Sequence, residues 1–491
     1  MLYQSSDYEK KFFCGNINKD SAEFKNVFKK DDILRSRRIK LKNSDTLCEL
    51  LYMDGMVESE MLSDSIVRPL LTADADPLTN AYEICERILF ANEVSFAKNY
   101  ADAIRAVIYG DTVLLVDNSA KPLVINTKGW RTRGITEPAD EKVLQGPREG
   151  FDEAAMLNLA MIRRKLLTPD FCVEMMRVGR RTETLVFVCY LGSLADEKTV
   201  SELKKRIKKI DIDGILDSNY ITECIRDHKY SMFKTTGSTE RPDIVAARLL
   251  EGRIAVVVDG TPVVLTLPYL FSENFQSDED YYVNFSVAAI GRGLRWLCFF
   301  IAVSVPAIFL ALTTFHLELL PTNFALTVIE LHGGVPMPSV VECVILILVF
   351  EILKEAGIRT PQSLGHALSI VGGLVVGQAA VEARIISAPM LIAVALSGIS
   401  GLMVPRLKSA VFYLRLIYIA ASAVLGLYGF IIAVSLTAVR IFSLSSFGVD
   451  YTVSMKKFDF AHLKDSFFRA PWTTMKTRPA FNNNIIRKGN K

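Results

Sequence analysis

The sequence lacks the groupings from which most catalysts and metal centres are built. It contains no glycine-rich phosphate loop, no HExxH and no GxSxG, and its five histidines (His228, His316, His332, His366, His462) share no ligand spacing. Its eight cysteines include no CxxC pair and read as reduced core residues. Gly291-Arg-Gly293 follows no strand, so it does not make a nucleotide fingerprint. The stretch 1–40 is charged throughout, without the apolar core of a secretory leader, so the charged half of the chain is expected on the cytosolic side. A formal net charge of +3 says little about partners. Together these absences argue against an enzyme, against a cofactor or metal, and against a nucleic-acid partner.

What is plentiful is apolar sequence after residue 285. Leu294 to Phe315 carries no charge beyond Arg295 and, at about 1.5 Å per residue, is long enough for a hydrocarbon core of about 30 Å. Ile385 to Val404 and Phe412 to Val439 are further long runs, the second broken only by Arg415, and Ile370 to Val381 is shorter and rich in glycine. A backbone in lipid must satisfy its own hydrogen bonds, so these runs are expected as helices of a polytopic, all-α membrane domain over 286–445. Arg292 and Arg295 put residue 292 in the cytosol by the positive-inside rule. Gly333, Gly334, Pro336 and Pro338 break the piece 324–353, which is expected to be re-entrant or enclosed rather than to cross. That gives four spans and a cytosolic tail, whereas five would leave the tail outside. The tail, 446–491, is basic, and this favours the cytosol.

The charged half reads as two α/β lobes, so the fold class is multidomain, with α/β lobes followed by the helical membrane part. Residues 1–43 are lysine-rich, short of apolar periodicity and expected as a basic, partly disordered arm. The first lobe, 44–168, opens on a strand near Thr46 to Met53, followed by a helix to Leu71 and a second helix from Pro77 to about Ala97. Ala103–Tyr109 and Thr112–Val116, separated by Gly110-Asp111, read as a β-hairpin. The second lobe, 169–285, shows a strand at Thr184–Tyr190, an amphipathic helix at Glu197–Ile210 and a hairpin of Ile254–Val258 with Val263–Leu267. A helix over Asp152 to Leu167 joins the lobes, and the acidic stretch Glu273–Asp280 reads as the approach to the membrane.

Three groups of residues stand out as candidate sites. Glu137, Arg148 and Glu149 lie in a glycine- and proline-rich segment and are expected to form a salt-bridged lobe interface. Gly373 and Gly377 make a small-xxx-small pair for close helix packing, and Gln378 and Glu382 lie one turn apart on a polar strip. Glu342 and Glu351 fall on opposite faces of one helix. Carboxylates at bilayer depth tend to face water, protein or an ion path, so Glu342, which has no counter-ion in its own helix, is the stronger candidate for a cation route.

Several passages of the chain resemble the A subunits of GerA-type spore germination receptors. They are Tyr52-Met-Asp-Gly-Met-Val57, Gln145-Gly-Pro-Arg-Glu-Gly-Phe151, His316-Leu-Glu-Leu-Leu-Pro-Thr322, Gly334-Val-Pro336, Phe350-Glu-Ile-Leu-Lys-Glu-Ala-Gly-Ile358, Gly377-Gln-Ala-Ala-Val-Glu-Ala383 and Ser446-Phe-Gly-Val449. Leu317, Asp450 and Ile347 depart from the family pattern. The resemblance implies a multi-pass subunit of the spore inner membrane that works with a transporter-like B subunit and a lipoprotein C subunit. It also implies a homo-oligomer acting as a ligand-gated cation channel that triggers germination. The paralogous stage V sporulation protein AF type shares nearly all these passages, and implies an accessory that amplifies ion release without its own nutrient sensor.

Overall fold

The computed structural model describes residues 8–74, 80–129, 137–138, 141, 143, 145–359, 377–453, 465–475 and 478. Helix α1 (Ile17–Val27) starts at Asn16, whose side chain accepts from the backbone N–H groups of Asn18 and Lys19. It turns Ile17 and Phe24 inward, and strand β1 (Leu34–Lys40) follows, paired antiparallel with β2 (Leu47–Met53). The expected disordered arm is therefore corrected, because this part of the chain supplies a helix and an edge strand of the first lobe. The sequence misleads here because an edge strand needs few apolar residues. Arg35, Arg37 and Arg38 point to solvent while Ile39 alone is buried, and charge on an edge also blocks unwanted pairing.

The first lobe continues with helices α2 (59–72, π-helical over Leu62–Val67) and α3 (81–88), strand β3 (Val94–Phe96), helix α4 (Tyr100–Tyr109), and strands β4 (Thr112–Val116) and β5 (Leu123–Ile125). The all-antiparallel sheet has the order β1-β2-β4-β5-β3. Two expectations fail here. The helix foreseen to Ala97 ends at Ile88, and Val94–Phe96 pairs with β5 instead. Ala103–Tyr109 is not a strand but the body of α4. Asn99 caps its start by accepting from the Asp102 N–H at 2.9 Å. Tyr100, Ala103, Ile104, Val107 and Ile108 then fall on one buried stripe, and Gly110 closes the helix with φ of 97°.

The second lobe repeats the plan. Helix α5 (Ala155–Lys165) leads into β6 (Phe171–Val178) and β7 (Thr184–Leu191), then helices α6 (Glu197–Lys208) and α7 (Ser218–Ile225). Strand β8 (Gly237–Thr239), helix α8 (Pro242–Leu250), and strands β9 (Ile254–Val258) and β10 (Val264–Leu267) complete it, with the sheet order β6-β7-β9-β10-β8. Both lobes thus run helix, two strands, two helices, strand, helix, two strands, and both sheets share one topology. Their facing residues, among them Leu51, Val113, Phe187 and Val257, join Phe24, Ile104, Leu159 and Val245 of the four helices α1, α4, α5 and α8 in one continuous core. A buried ion pair between Arg163 on α5 and Asp31 after α1 crosses that core.

The helical part begins with α9 (Phe285–Phe315), followed by α10 (Thr322–His332), α11 (Ser339–Arg359), α12 (Ala388–Leu402) and α13 (Lys408–Ser443). Among the described residues two stretches, Phe285–Phe315 and Pro405–Ser443, are long and apolar enough to cross a membrane. The second is not one rod. Gly426 has φ of 58° and ψ of −137°, a conformation open essentially to glycine alone. Beyond it the chain comes back on itself. The rings of Tyr418 and Phe430 meet with centroids 5.6 Å apart, whereas twelve residues of straight helix would separate them by about 18 Å. α13 is thus a hairpin with arms 408–425 and 427–443, whose tip lies against Phe315 and His316 at the far end of α9. The continuous run Phe412–Val439 conceals this reversal because a single glycine makes it.

Both feet of the hairpin rest on the second lobe. Arg406 donates to the Glu273 and Gln276 carbonyls at 3.2 Å, and beyond the second arm Tyr451 donates its N–H to none other than the Leu444 carbonyl while its own carbonyl accepts from Phe271 at 2.9 Å. Aromatic residues seal the joint, with Phe275 stacked on Trp296 at 3.6 Å between centroids and Phe271 edge-on to Trp296 and tilted against Tyr451.

Candidate functional site

Two sets of charged groups are buried where an apolar fold has least reason to hold them. The first lies between the helices. Arg415, on the first arm of α13, donates from Nε to the Ala302 carbonyl of α9 at 3.1 Å and from Nη2 to the Ser397 carbonyl of α12 at 3.3 Å. Its Nη1 stands 3.6 Å from Glu351 of α11, which is also paired with Lys354 at 2.7 Å. One guanidinium therefore ties four helical segments together, a role hidden in a sequence where Arg415 merely interrupts an apolar run. Breaking such a buried set leaves an uncompensated charge, so it fixes register more than it adds stability.

Glu342 sits near the other end of α11 and is fully buried. Its Oε1 accepts from the Ser387 N–H at 2.6 Å and the Ser387 hydroxyl at 2.7 Å, and its Oε2 lies 3.4 Å from Nε2 of His332. His332 also meets the Ser339 hydroxyl at 2.7 Å. The counter-group absent from its own helix thus comes from α10 and from the turn before α12. Glu342 and Glu351 are both enclosed by this chain. Gln378 and Glu382 differ, since they are hydrogen-bonded to each other at 2.9 Å and exposed. A Cβ on Gly377 would make ordinary contact with Leu391, while Gly373 lies outside the described residues. Closer helix packing falls at Gly398 of α12, where any side chain would run into the Phe350 ring of α11.

The second set lies at the joint between the second lobe and the helices, on the acidic stretch read as a plain approach. Glu273 takes Arg253 and Arg248, both from the lobe. Asp278 takes Arg406 at 3.0 Å, and Asp280 takes Arg292 at 3.1 Å and Arg295. Arg292 also reaches Asp465 of the tail at 2.9 Å, and Tyr281 donates to the same carboxylate. Burial pushes the Asp465 carboxyl above its usual range even with Arg292 beside it. Burial and the neighbouring Asp278 charge push Glu141 up in the same way, against the pull of Arg406. The signal in the sequence was the spacing of acids among Phe271, Phe275 and Tyr281. Solvated linkers do not carry such rings.

Of the expected lobe interface, Arg148 and Glu137 form an exposed pair at 3.3 Å within their own segment. Glu149 turns instead to Lys165 of α5 at 2.9 Å. The same segment touches the joint through Pro147, whose carbonyl accepts from Arg241, and through Gly146, which packs against the Tyr282 ring. A Cβ on Gly146 would stand 2.6 Å from that ring, so the position requires glycine.

Comparison with known proteins places this architecture. The sequence model described as Bacillus/Clostridium GerA spore germination protein matches residues 22–481. The chain is 40% identical over 468 residues to spore germination protein KA of Bacillus subtilis (strain 168), covering 94% of this chain and 86% of that one. It is 39% identical over 432 residues to the uncharacterized membrane protein YfkQ of the same organism, covering 88% and 84%. To spore germination protein GerLA of Bacillus cereus it is 31% identical over 470 residues, covering 95% and 96%. A crystal structure of the N-terminal domain of the A subunit of the Bacillus megaterium spore germinant receptor GerK3 aligns with 53% of this chain and 97% of that one, at 34% identity and a TM-score of 0.42.

Proposed function

From the premise that this chain belongs to the GerA family of spore germination proteins, we propose that it is the A subunit of a nutrient germinant receptor in the spore inner membrane. In this reading the lobes stand in the cytosol and the helical part crosses the membrane. The tail returns to the cytosolic side, a placement supported by the contacts of Asp465, Trp472 and Arg478 around the second lobe and the start of α9. B and C subunits join several copies of this chain, and the assembly releases monovalent cations when nutrient arrives.

The observation that carries the reading is the contrast among the acids of the helical part. Glu342 and Glu351 are spoken for within one chain, but Glu382 and Gln378 face outward, with Arg384 exposed beside them. A polar strip on an apolar surface is expensive against lipid and is relieved against water or another subunit. In this reading the cation route runs between copies, with Glu382 on its wall, while Glu342 and Arg415 hold the helices that build it.

Potassium release from germinating spores carrying Glu382→Gln tests this. Slower release at normal receptor abundance is expected. Release at the unaltered rate would remove Glu382 from the route, and loss of the receptor from the membrane would make it a packing residue.

A further inference from the structure

The two arms of α13 leave an apolar groove of about 380 Å³ between them. Ala421 on one arm and Gly429 on the other both line it and bring the arms into close contact, since a Cβ on Gly429 would run into the Ala421 carbonyl oxygen. At the lobe end Met232 and Phe233 close it, and Arg440 stands at its mouth. Arg440 is exposed and has no carboxylate in ion-pair range among the described residues.

The loop that carries Met232 and Phe233 is also cationic. Arg226 has a buried Nε without a hydrogen-bond partner among the described residues. Lys234, in the same loop, is exposed to solvent and close enough to Arg226 and Arg406 to feel both of their charges. The acid in this loop, Asp227, is engaged by Arg206 and by the Phe447 N–H. The mouth of the groove thus has a positive surplus, and its length is lined by hydrocarbon.

We propose that the groove seats an acyl chain of an anionic phospholipid from the cytosolic leaflet, with the lipid phosphate held by Arg440 and Lys234. Charge complementarity selects this occupant. A basic group at the cytosolic end of a cleft between membrane helices suits an anionic headgroup, and apolar walls suit its tail. The inference rests on the membrane reading above. It adds a ligand that bridges the hairpin and the second lobe, so the leaflet itself becomes part of the joint.

The test uses the full chain, expressed in membranes and purified in detergent, with phosphatidylglycerol, phosphatidylcholine and inorganic phosphate as probes. Retained lipid is read by native mass spectrometry, and the thermal midpoint is followed as each probe is added. Wild type is expected to retain phosphatidylglycerol in preference to phosphatidylcholine and to be stabilised by it. Arg440→Gln should reduce the preference about fivefold, the contribution of one surface cation toward anionic lipid. Ala421→Phe should abolish retention of both lipids, and Arg359→Gln should change nothing.

Equal retention of the two lipids by wild type overturns the proposal, as does an unaltered preference in Arg440→Gln, even if Ala421→Phe fails to fold. An equal midpoint shift with inorganic phosphate shows an anion site without lipid and overturns it too. Copurification of another protein chain that is lost in Ala421→Phe, without lipid preference, gives the groove to a partner helix. A chain that washes off membranes in alkaline carbonate defeats the membrane reading itself. One that stays in the membrane but shows no lipid preference defeats only the lipid site.

Discussion

In the first lobe five residues, 89–93, connect the second of the paired helices to the next strand, and in the second lobe eleven residues, 226–236, make the same connection. The shorter version only turns the chain, whereas the longer one carries Met232 and Phe233 onto the helical hairpin. A second difference falls at the residue after each left-handed glycine. Asp111 follows Gly110 in the first lobe and pairs with Lys128 at 3.0 Å. Arg253 follows Gly252 in the second and pairs with Glu251 at 3.2 Å and with Glu273, which leads into the first apolar helix. One frame has been used twice, and a lengthened loop with a reversed charge has turned the second copy into the seat of the helices. The first copy has no such attachment among the described residues.

The largest expected effect tests that reversed charge. Arg253 and Glu273 are both about 2% exposed in their side chains, so Arg253→Ala leaves a buried carboxylate with one of its two arginines and should cost about 3–5 kcal/mol. Asp111→Ala removes a pair that is 12% and 27% exposed and should cost about 1 kcal/mol. Urea midpoints of the full chain in detergent, read by pulse proteolysis, give the comparison. Equal losses would mean that the joint is no more demanding than its counterpart, and the distinction between the lobes would fall.

A smaller effect concerns what the lobes share. Glu49 on β2 is desolvated, which raises its pKa. Hydrogen bonds from Lys25 and Ser21, the charge of Lys25 and the contact with Arg38 outweigh that and hold it below the usual carboxylate range. A folded-state value below the unfolded one means stability that is present above the ordinary value of about 4.3 and lost as pH falls through the lowered one. Glu49→Gln should therefore cost about 1–3 kcal/mol near neutrality and nothing in strong acid. Glu174 on β6 is lowered by Tyr190 and Lys204 against its own desolvation, but it is 26% exposed where Glu49 is 1%. Glu174→Gln should lose stability over the same pH window and by less. A loss that persists in acid would show packing, not charge, to be what either residue supplies.

The internal repeat was not legible in the sequence, although several of its parts were. Thr184–Tyr190, Glu197–Ile210 and the hairpin across Asp259-Gly260 could be read because strand alternation and helix amphipathicity act locally. Their counterparts were lost where a long-range partner overrides the local pattern. β1 is charged because it is an edge, and α4 is rich in β-branched residues and alanine because it is buried, so its helical character rests on the Asn99 cap. The candidate site divides in the same way. Glu342 and Glu351 were visible as acids in apolar surroundings, while Arg415, the tie among four helical segments, has partners far away in sequence. Gly426 looked like any glycine in an apolar run.

The smallest expected effect asks whether the repeat extends to the backbone. Gly110 and Gly252 close equivalent helices, α4 and α8, and have φ of 97° and 87°. Each lets the chain leave its helix and enter the central strand at once, since β4 begins at Thr112 and β9 at Ile254. An alanine in that conformation brings its Cβ against the backbone carbonyl, a strain of about 1–2 kcal/mol that depends on the dihedral and not on what surrounds the helix. Gly110→Ala and Gly252→Ala should therefore lower the urea midpoint by equal amounts, even though only the second is followed by an arginine of the joint. If Gly252→Ala costs clearly more, the turn and the Arg253–Glu273 pair are mechanically coupled. Release of the helices from the second lobe would then begin with this glycine rather than with the charges, and the two lobes would differ in their backbones as well as in their side chains.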